Sequence, residues 1–312
     1  MSFSEMEYSL KSRKSKKEEF LEKMEKVVPL GKWCELIQPY YYERGNGRPP
    51  IDLDIMLKIY LVSCWYNLSD DACEDMIHDS LAVKNYVKGV ADATTLGKFR
   101  KLLHDNGLTE KIFKEQTDEF KANGIILHEG SVLDATIVDA PRKSPEIGCT
   151  YKYGQRRFGI KAHIATDKKG IVHNVLVTPA NVQEITVAHE ILHGNEQEIY
   201  GDAGYVGLQK RPEICEKYQD GSGEIELVKY STNKKYLAMK KNPAVKFMVN
   251  LKKKSVTDPK LEKSKTKIRA RVEHVFLTMK HIFKYRRVRY RTLSKNSAHI
   301  HMLLALVNLT KI

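Results

Sequence analysis

Three carboxylates stand at positions where a lone acid is costly or out of place. Asp134 interrupts the apolar run VLDATIV, Asp202 lies beside glycines in IYGDAGYVG, and Glu273 is the one acid of the basic stretch RARVEHVFLTMK (269–280). A carboxylate within a buried strand needs a cationic side chain, backbone donors or a metal ion. Three such acids together suit Mg²⁺, which takes few protein carboxylates and keeps waters and substrate oxygens. Two such ions ~3.5–4 Å apart support phosphodiester chemistry.

Each acid also has a simpler interpretation when taken alone. Asp134 could pair with a lysine, and Asp202 could be an ordinary turn residue. Glu273 could form an ion pair with Arg269 one helical turn away, which would contribute only a few tenths of a kcal/mol. The residues by themselves leave these alternatives open, although their joint occurrence favours a metal site.

The pattern around Glu273 predicts a helix over about residues 262–283. At about 100° per residue, Arg269, Glu273 and Lys280 fall on one face of that helix. An apolar stripe of Val272, Phe276, Met279 and Phe283 runs beside that face. We therefore expect Glu273 to border the packed side of the helix, from which it could reach towards Asp134 and Asp202.

Positive charge is concentrated near the carboxyl end of the chain. The 312 residues carry a net charge of +14, yet the segment from Lys229 to Lys295 holds 22 Lys and Arg residues against 3 acids. A patch of this kind suits a polyanion such as DNA, although a solvated charged surface is the alternative. Interleaved aromatic residues, as in KYRRVRYRTL (284–293), favour nucleic acid. The candidate DNA contacts are Arg157, Lys161, Arg271, Arg286, Arg287 and Arg289.

The bulk composition excludes several classes of protein. No run of 18 apolar residues is present, so no membrane span is expected. The amino-terminal stretch has no apolar signal core, so a cytoplasmic location is expected. The five cysteines are far apart and form no C-x-x-C pair, which favours free thiols over a zinc site or a disulfide framework.

The periodicity of apolar residues divides the chain into two regions. Residues 1–125 are predicted to form helices with short connections, including an apolar core helix after ERGNGRPP and a helix capped by Ser69. From residue 126 the chain becomes β-rich, with strands predicted at 124–140, 198–205 and 224–230 and a hairpin at 156–181. The order of elements predicts an RNase H-like α/β fold, with a mixed sheet and flanking helices, preceded by an all-α domain.

Several blocks resemble one known family closely. DATIVDAP, FGIKAHIATD, NVLVTPANVQE, YGDAGYVG and RARVEHVFLTMKHIFKYRRVRYRTLSKN are similar to the successive blocks of bacterial insertion-sequence DDE transposases, of the group named for insertion sequence five. Nearer the amino terminus, RPPIDLDIMLKIYLV and DATTLGKFRKLL resemble the helical domain that precedes the catalytic domain in that group. The likeness runs from about residue 45 to the end.

The resemblance implies a catalytic triad of Asp134, Asp202 and Glu273 that binds two Mg²⁺ or Mn²⁺ ions. Arg269, Glu273 and Lys280 fit the family signature Tyr-x2-Arg-x3-Glu-x6-Lys, whereas Thr266 stands where the signature has tyrosine. In the family the arginine and the lysine are thought to contact the DNA of the transposon end.

The implied activity is cleavage at transposon ends followed by strand transfer into target DNA. The implied partners are double-stranded DNA, with terminal inverted repeats read by residues 1–125, and a second copy of the chain in a dimer on DNA. The resemblance further implies a nucleoid-associated protein. The alternatives are an inactive, domesticated DNA-binding protein and a metal-dependent nuclease of the same fold.

Overall fold

A computed structural model describes residues 13–42, 49–127, 129–141, 146–152, 154–218, 225–231, 234–239, 245–251 and 258–312. The chain divides into two compact units, of which the first comprises Met1–Leu108 with Leu309–Ile312 and the second comprises Thr109–Asn308. The boundary between a DNA-binding and a catalytic domain at residues 125 and 126 stays a prediction.

The regular elements described in the first unit are helical. The α-helices are α1 (Lys16–Val27), α2 (Leu30–Ile37), α3 (Leu53–Trp65), α4 (Asp70–Asp79), α5 (Leu81–Val87) and α6 (Ala93–Asp105). Helix α3 is buried along nearly its whole length, and Leu57, Ile59 and Leu61 on it are completely buried. It is therefore the core helix that the sequence predicts, because apolar residues stand on most of its sides.

Side chains at two helix starts supply the hydrogen bonds that the first turn lacks. The Ser69 hydroxyl accepts from the backbone N–H of Ala72 (3.1 Å), and the Asp92 carboxylate accepts from that of Thr95 (2.7 Å). Such caps typically contribute about 1 kcal/mol each. The predicted cap at Ser69 is confirmed.

The second unit is a mixed α/β structure. Its helices are α7 (Leu108–Ala122), α8 (Glu184–Ile191), α9 (Pro212–Lys217), α10 (Pro259–Leu277) and α11 (Leu293–Leu309). Its strands are β1 (Gly130–Asp139), β2 (Gly148–Lys152), β3 (Gln155–Thr166), β4 (Val172–Pro179), β5 (Glu198–Gly201), β6 (Ile225–Ser231), β7 (Lys234–Met239) and β8 (Lys246–Val249).

Six of these strands form one mixed sheet. Its order is β2-β3-β1-β5-β8, and β4 also pairs with β3. The pairs that involve β3 are antiparallel, whereas β1 pairs with β5 and β5 with β8 in parallel. The predicted mixed sheet and the predicted hairpin, which is β3 and β4, are confirmed. Strands β6 and β7 form a separate antiparallel ribbon.

Two predicted strands are shorter than the sequence indicates. The first begins at Gly130 and not at residue 124, and β5 ends at Gly201, where Ala203–Tyr205 turns as a 3₁₀ helix. The second difference matters most, because Asp202 directly follows the end of the strand, next to the glycines that flank it.

The core of the second unit lies against α8. Leu133 and Ala165 on the sheet and Ala188 and Ile191 on α8 are all buried in one cluster, together with Tyr205. This packing fixes the helix that follows β4 against the strands that carry Asp134 and precede Asp202.

A buried carboxylate joins three parts of this unit. Glu196, 2% exposed, accepts hydrogen bonds from the Ser131 hydroxyl of β1 (3.0 Å) and from the Tyr218 hydroxyl. Ser131 also lies 3.0 Å from Nε2 of His173 on β4, and the backbone N–H of His193 donates to Glu196 (2.9 Å). Since a buried charge must be satisfied by hydrogen bonds, this network ties the start of β1 to the segments around it.

The helix predicted over about 262–283 is present, but its last part is π-helical and not α-helical. Helix α10 ends at Leu277, and Thr278–Ile282 forms a π-helical turn. The count of 100° per residue therefore holds for Arg269 and Glu273 but not for Lys280, because a π turn takes more residues per turn than an α turn.

The segment after the π turn extends the sheet at the end of β1. Asp139 donates its N–H to the carbonyl of Arg286 (3.2 Å) and accepts from the N–H of Val288 (2.9 Å). The basic run 286–288 thus lies alongside the last residue of the strand that carries Asp134.

Among the described residues, none of the helices has both the length and the apolarity that crossing a membrane requires.

Candidate active site

The two aspartates are positioned by a parallel strand pair. Val132 on β1 lies opposite Tyr200 on β5. Asp134 follows Val132 by two residues, and Asp202 follows Tyr200 by two residues. Parallel strands keep their register along the chain, so the two aspartates come side by side where the pairing ends.

Asp134 lies in surroundings that oppose its charge. Burial, with smaller contributions from Asp202 and Glu184, raises the pKa of Asp134 to about 7, against the lowering effects of the Ala135 N–H and of Arg269. The Ala135 N–H donates to the Asp134 carboxylate (2.8 Å). These contributions show that Asp202, Glu184 and Arg269 lie near enough to Asp134 for their charges to act on it.

Asp202 is held by a turn that only a small residue allows. Its Oδ1 accepts from the Gly204 N–H (2.8 Å), which caps the 3₁₀ helix. A side chain at position 204 would place its Cβ 2.9 Å from Asp202 Oδ1 and 3.6 Å from Glu184 Oε2. The glycine therefore leaves the space between two carboxylates open.

Glu184 is a fourth acid, and the sequence pattern does not single it out. It is the first residue of α8, and its Oε1 lies 3.4 Å from Nζ of Lys161 on β3. It stands in the block NVLVTPANVQE, but an acid in the first turn of a helix is so common that its type alone carries no signal.

Tyr205 lies on the buried side of the three acids Asp134, Asp202 and Glu184. The residue is fully buried, and its hydroxyl has no hydrogen-bond partner among the described residues. Burial first, then the charges of Glu184, Asp134 and Asp202, raise the pKa of Tyr205 well above its ordinary value. A neutral phenol thus stands near the three carboxylates.

Glu273 takes a different position from the two aspartates. Its carboxylate lies 3.0 Å from the Arg269 guanidinium, and its side chain is 57% exposed. This is the helical ion pair that the sequence left open as the simpler alternative. Arg269 in turn lowers the pKa of Asp134, so the arginine connects Glu273 electrostatically to the aspartates.

Lys280 anchors the π turn to the sheet. Its ammonium donates to the carbonyl of Ile137 on β1 (2.5 Å). The contact draws the end of α10 towards the strand that carries Asp134.

The other residues predicted to contact DNA differ in how exposed their side chains are to solvent. Arg157, Arg271, Arg286 and Arg287 are exposed, and Arg289 is half-buried. Lys161 is 7% exposed and donates to the carbonyl of Val182 (2.8 Å) as well as facing Glu184. Because its ammonium is engaged within the protein, Lys161 is better placed to position Glu184 than to meet a phosphate.

The chemistry of the donors fits a hard divalent cation. Carboxylate oxygens are the ligands that Mg²⁺ and Mn²⁺ take. Burial first, and then the neighbouring charges of Asp202 and Glu184, raise the pKa of Asp134, and a bound cation would offset both effects. In the described part of the chain, no group of three or more His, Cys, Asp or Glu side chains is yet close enough to hold one ion together. A bound cation would therefore draw these carboxylates closer.

Two family models match this chain. Residues 126–309 match one described as a transposase DDE domain, and residues 8–102 match one described as a transposase domain. The first match alone spans more than half of the chain.

One solved structure is similar over most of its length. It is a piggyBac transposase, in a cryo-EM structure of the synaptic complex with hairpin DNA, with 11% sequence identity and a TM-score of 0.41. The similarity covers 90% of the present chain and 70% of that one.

Proposed function

The chain belongs to the DDE transposase family and is a DNA transposase, and from this premise we propose that Asp134, Asp202 and Glu273 are its catalytic acids. The observation that carries the assignment is the side-by-side arrangement of Asp134 and Asp202 at the end of the β1–β5 pairing. Glu273 is assigned as the third acid because it fits the family signature and because its ion-pair partner, Arg269, also acts on Asp134.

The proposal extends to the fold and to the group. The strand order β4-β3-β1-β5-β8, antiparallel on one side of β1 and parallel on the other, supports an RNase H-like sheet. The blocks quoted from the sequence support the group named for insertion sequence five, and the helices of the first unit are proposed to bind the terminal inverted repeats.

The family implies dependence on a divalent metal ion, and we propose two ions of Mg²⁺ or Mn²⁺ held by Asp134, Asp202 and Glu273. The chemistry supplied by such ions when bound is activation of an attacking oxygen and stabilisation of a leaving one. The protein contributes the strand ends that position Asp134 and Asp202. It also contributes Arg269, which forms an ion pair with Glu273.

Two phosphodiester exchanges make up the proposed reaction. Water attacks the phosphorus at the element's end, the bond to the 3′-oxygen breaks, and a 3′-OH is released. That 3′-OH then attacks a phosphorus of the target, a new ester bond forms, and the target's own 3′-oxygen leaves. Two ends must be processed together, which favours a homodimer on DNA.

The basic surface near the end of β1 is proposed to hold the DNA backbone. Arg286 and Arg287 lie in the segment that pairs with Asp139, and Arg157 stands 4.0 Å from the Asp139 carboxylate. Exposed arginines grouped in this way can form bidentate contacts with phosphates. The same role is proposed for four further residues, which are Arg269, Arg271, Lys280 and Arg289. We also propose that the protein associates with the nucleoid.

An assay on DNA tests the assignment. Purified protein is incubated with DNA that carries the element's inverted repeats, with Mg²⁺, with Mn²⁺ and with EDTA. We expect nicking and joining with either metal, none with EDTA, and none from Asp134→Asn, Asp202→Asn or Glu273→Gln, while Asp139→Asn keeps activity. If Glu273→Gln nicks and joins as wild type does, the assignment of the third acid is wrong.

The same assay addresses the two alternatives, which the family match does not favour. An inactive DNA-binding protein would bind the ends without nicking them. A general nuclease would cut DNA without inverted repeats equally well and would join nothing.

A further inference from the structure

We propose that Glu184 is a further metal-binding residue of this site, and that it gathers the first cation with Asp134 and Asp202 before Glu273 engages. The inference rests on the proposed function, because it concerns the same metal site. It assigns a role to an acid that lies outside the three catalytic residues.

The side chain of Glu184 is held in place by an ion pair with Lys161. Lys161 holds Oε1 of Glu184 at 3.4 Å, and the same ammonium donates to the carbonyl of Val182, two residues before Glu184. The lysine side chain is 9% exposed and the glutamate side chain 27% exposed. An ion pair shielded in this way is worth more than a surface pair, because solvent screens it less.

The second oxygen of Glu184 lies on the same side of Gly204 as Asp202 does, the side where a Cβ would stand. Oε2 of Glu184 and Oδ1 of Asp202 lie 3.6 Å and 2.9 Å from one point, the position that a Cβ on Gly204 would take. No more than the sum of those two distances can separate the two oxygens. One oxygen of Glu184 thus lies beside Lys161, and the other lies near the same point as an oxygen of Asp202, one of the acids proposed to bind the metal.

An independent observation marks the same spot as a ligand site. The Tyr205 hydroxyl is fully buried and has no partner within the described residues, and after burial the charges of Glu184, Asp134 and Asp202 act on it. A buried donor left without an acceptor costs about 1–3 kcal/mol. A cation that draws these carboxylates together, with its own waters, would offer that hydroxyl an acceptor.

Glu273 does not belong to this inner group in the structure. Its carboxylate is taken up by Arg269, and the charges that act on Asp134 are those of Asp202, Arg269 and Glu184. This pairing implies an order of binding. Asp134, Asp202 and Glu184 take the cation first, and Glu273, which is paired with Arg269 in the free protein, is added afterwards.

The test measures metal binding without DNA. Mn²⁺ is titrated into the full-length, metal-free protein, and the free ion is followed by its electron paramagnetic resonance signal. Glu184→Gln is expected to weaken Mn²⁺ binding by about tenfold or more. Glu190→Gln, an exposed acid on the same helix, is expected to bind as wild type, and Glu273→Gln to weaken binding less than Glu184→Gln.

Two further variants separate the possible outcomes. Lys161→Met removes the partner of Glu184 but keeps its carboxylate, so a metal role predicts that Mn²⁺ binding is retained. If Lys161→Met loses binding as Glu184→Gln does, with both folded by circular dichroism, Mn²⁺ binding depends on the Lys161–Glu184 ion pair and not on the Glu184 carboxylate as a ligand, and the inference is overturned. Wild-type binding by Glu184→Gln overturns it as well, provided that Asp202→Asn loses binding. If Asp202→Asn also binds as wild type, the proposed metal site itself is wrong.

Discussion

Asp134 illustrates how one residue can favour function over stability. Its carboxylate is half-buried beside Asp202 and Glu184, so in the absence of a cation it repels its neighbours. Replacing it with asparagine, which can still accept from the Ala135 N–H, is expected to stabilise the metal-free protein by on the order of 1 kcal/mol. Urea unfolding in EDTA measures the change.

The control for that prediction lies on the same strand. Asp139→Asn alters an exposed acid that has Arg157 nearby, and it should leave the unfolding midpoint unchanged. Added Mn²⁺ should stabilise wild type but not Asp134→Asn, because only a protein that binds the ion gains from it. A lower midpoint for Asp134→Asn in EDTA would contradict the account.

Gly204 offers a second prediction at the scale of one residue. The Cβ of alanine would come 2.9 Å from Oδ1 of Asp202, closer than real contacts allow, so the carboxylate must shift. A displacement of this kind can cost up to about a hundredfold in rate. Gly204→Ala should therefore cut DNA ends far more slowly while its circular dichroism stays that of wild type.

Gly97→Ala provides the matched comparison, since its new methyl group would make only an ordinary contact at 3.5 Å. It should cleave at the wild-type rate. Equal rates for both alanine variants would show that the turn around Asp202 yields without consequence.

The sequence reveals an acid when its surroundings make it unusual, and it does not reveal an acid at a position where acids are common. Asp134 and Asp202 stand out because apolar residues and glycines surround them. Glu184 opens a helix, where an acid is expected for the helix dipole alone. Glu273 shows the reverse difficulty, because its ordinary pairing with Arg269 is present in the structure.

At the scale of elements, the network around Glu196 is expected to govern the stability of the second unit. Burial by itself would raise the pKa of Glu196, but the Tyr218 hydroxyl and the charge of His193 more than offset this, and its pKa lies below the ordinary value of 4.5. Glu196→Gln should destabilise the protein by about 1.5–3 kcal/mol at neutral pH, since it removes hydrogen bonds to a buried charge.

The pH dependence of that effect follows from the sign of the shift. A lowered pKa in the folded state gives stability that is fully present above the unfolded value, near 4.5, and that disappears as pH falls through the folded value. The difference between wild type and Glu196→Gln in urea unfolding should shrink as pH falls below about 4.5. Glu190→Gln, on the exposed side of α8, should show no such trend.

Elements with regular apolar alternation are predicted well from sequence, and short basic ones are not. The hairpin of β3 and β4 has clear alternation and a turn at Asp167 to Gly170, and its prediction is correct nearly to the residue. Strand β8 has only four residues within a lysine-rich stretch, so its place beside β5 depends on tertiary pairing that composition does not encode. The π turn after Leu277 is likewise invisible to a fixed helical period.

At the scale of the whole molecule, which carries a net charge of +14, the salt dependence of DNA affinity should depend on the arginine segment 286–289 more than on the net charge. Each phosphate contact contributes about 0.9 to the slope of log affinity against log salt concentration. Arg287→Ala, next to the end of β1, is expected to reduce that slope by about one and to weaken binding at low salt. Fluorescence anisotropy of labelled DNA across a salt series gives the slope.

Lys114→Ala removes an equal charge from an exposed position on α7, and it should leave the slope unchanged if the basic surface is local. Equal changes for both variants would indicate that net charge, and not the arginine segment, attracts DNA.

The pairing of residues 286–288 with the end of β1 affects the order in which the protein folds during synthesis. Strand β1 pairs with β5 only over Gly130–Val132, and its later residues receive Lys280 at Ile137, 143 positions further along the chain, and Arg286–Val288 at Asp139. Strand β1 also pairs with β3 from Val132 to Asp139, so the strand that bears Asp134 can form before residues 280–288 have been synthesised. The contacts of Lys280 and of Arg286–Val288 are then added to a strand that is already paired, and this part of the site is completed late in synthesis.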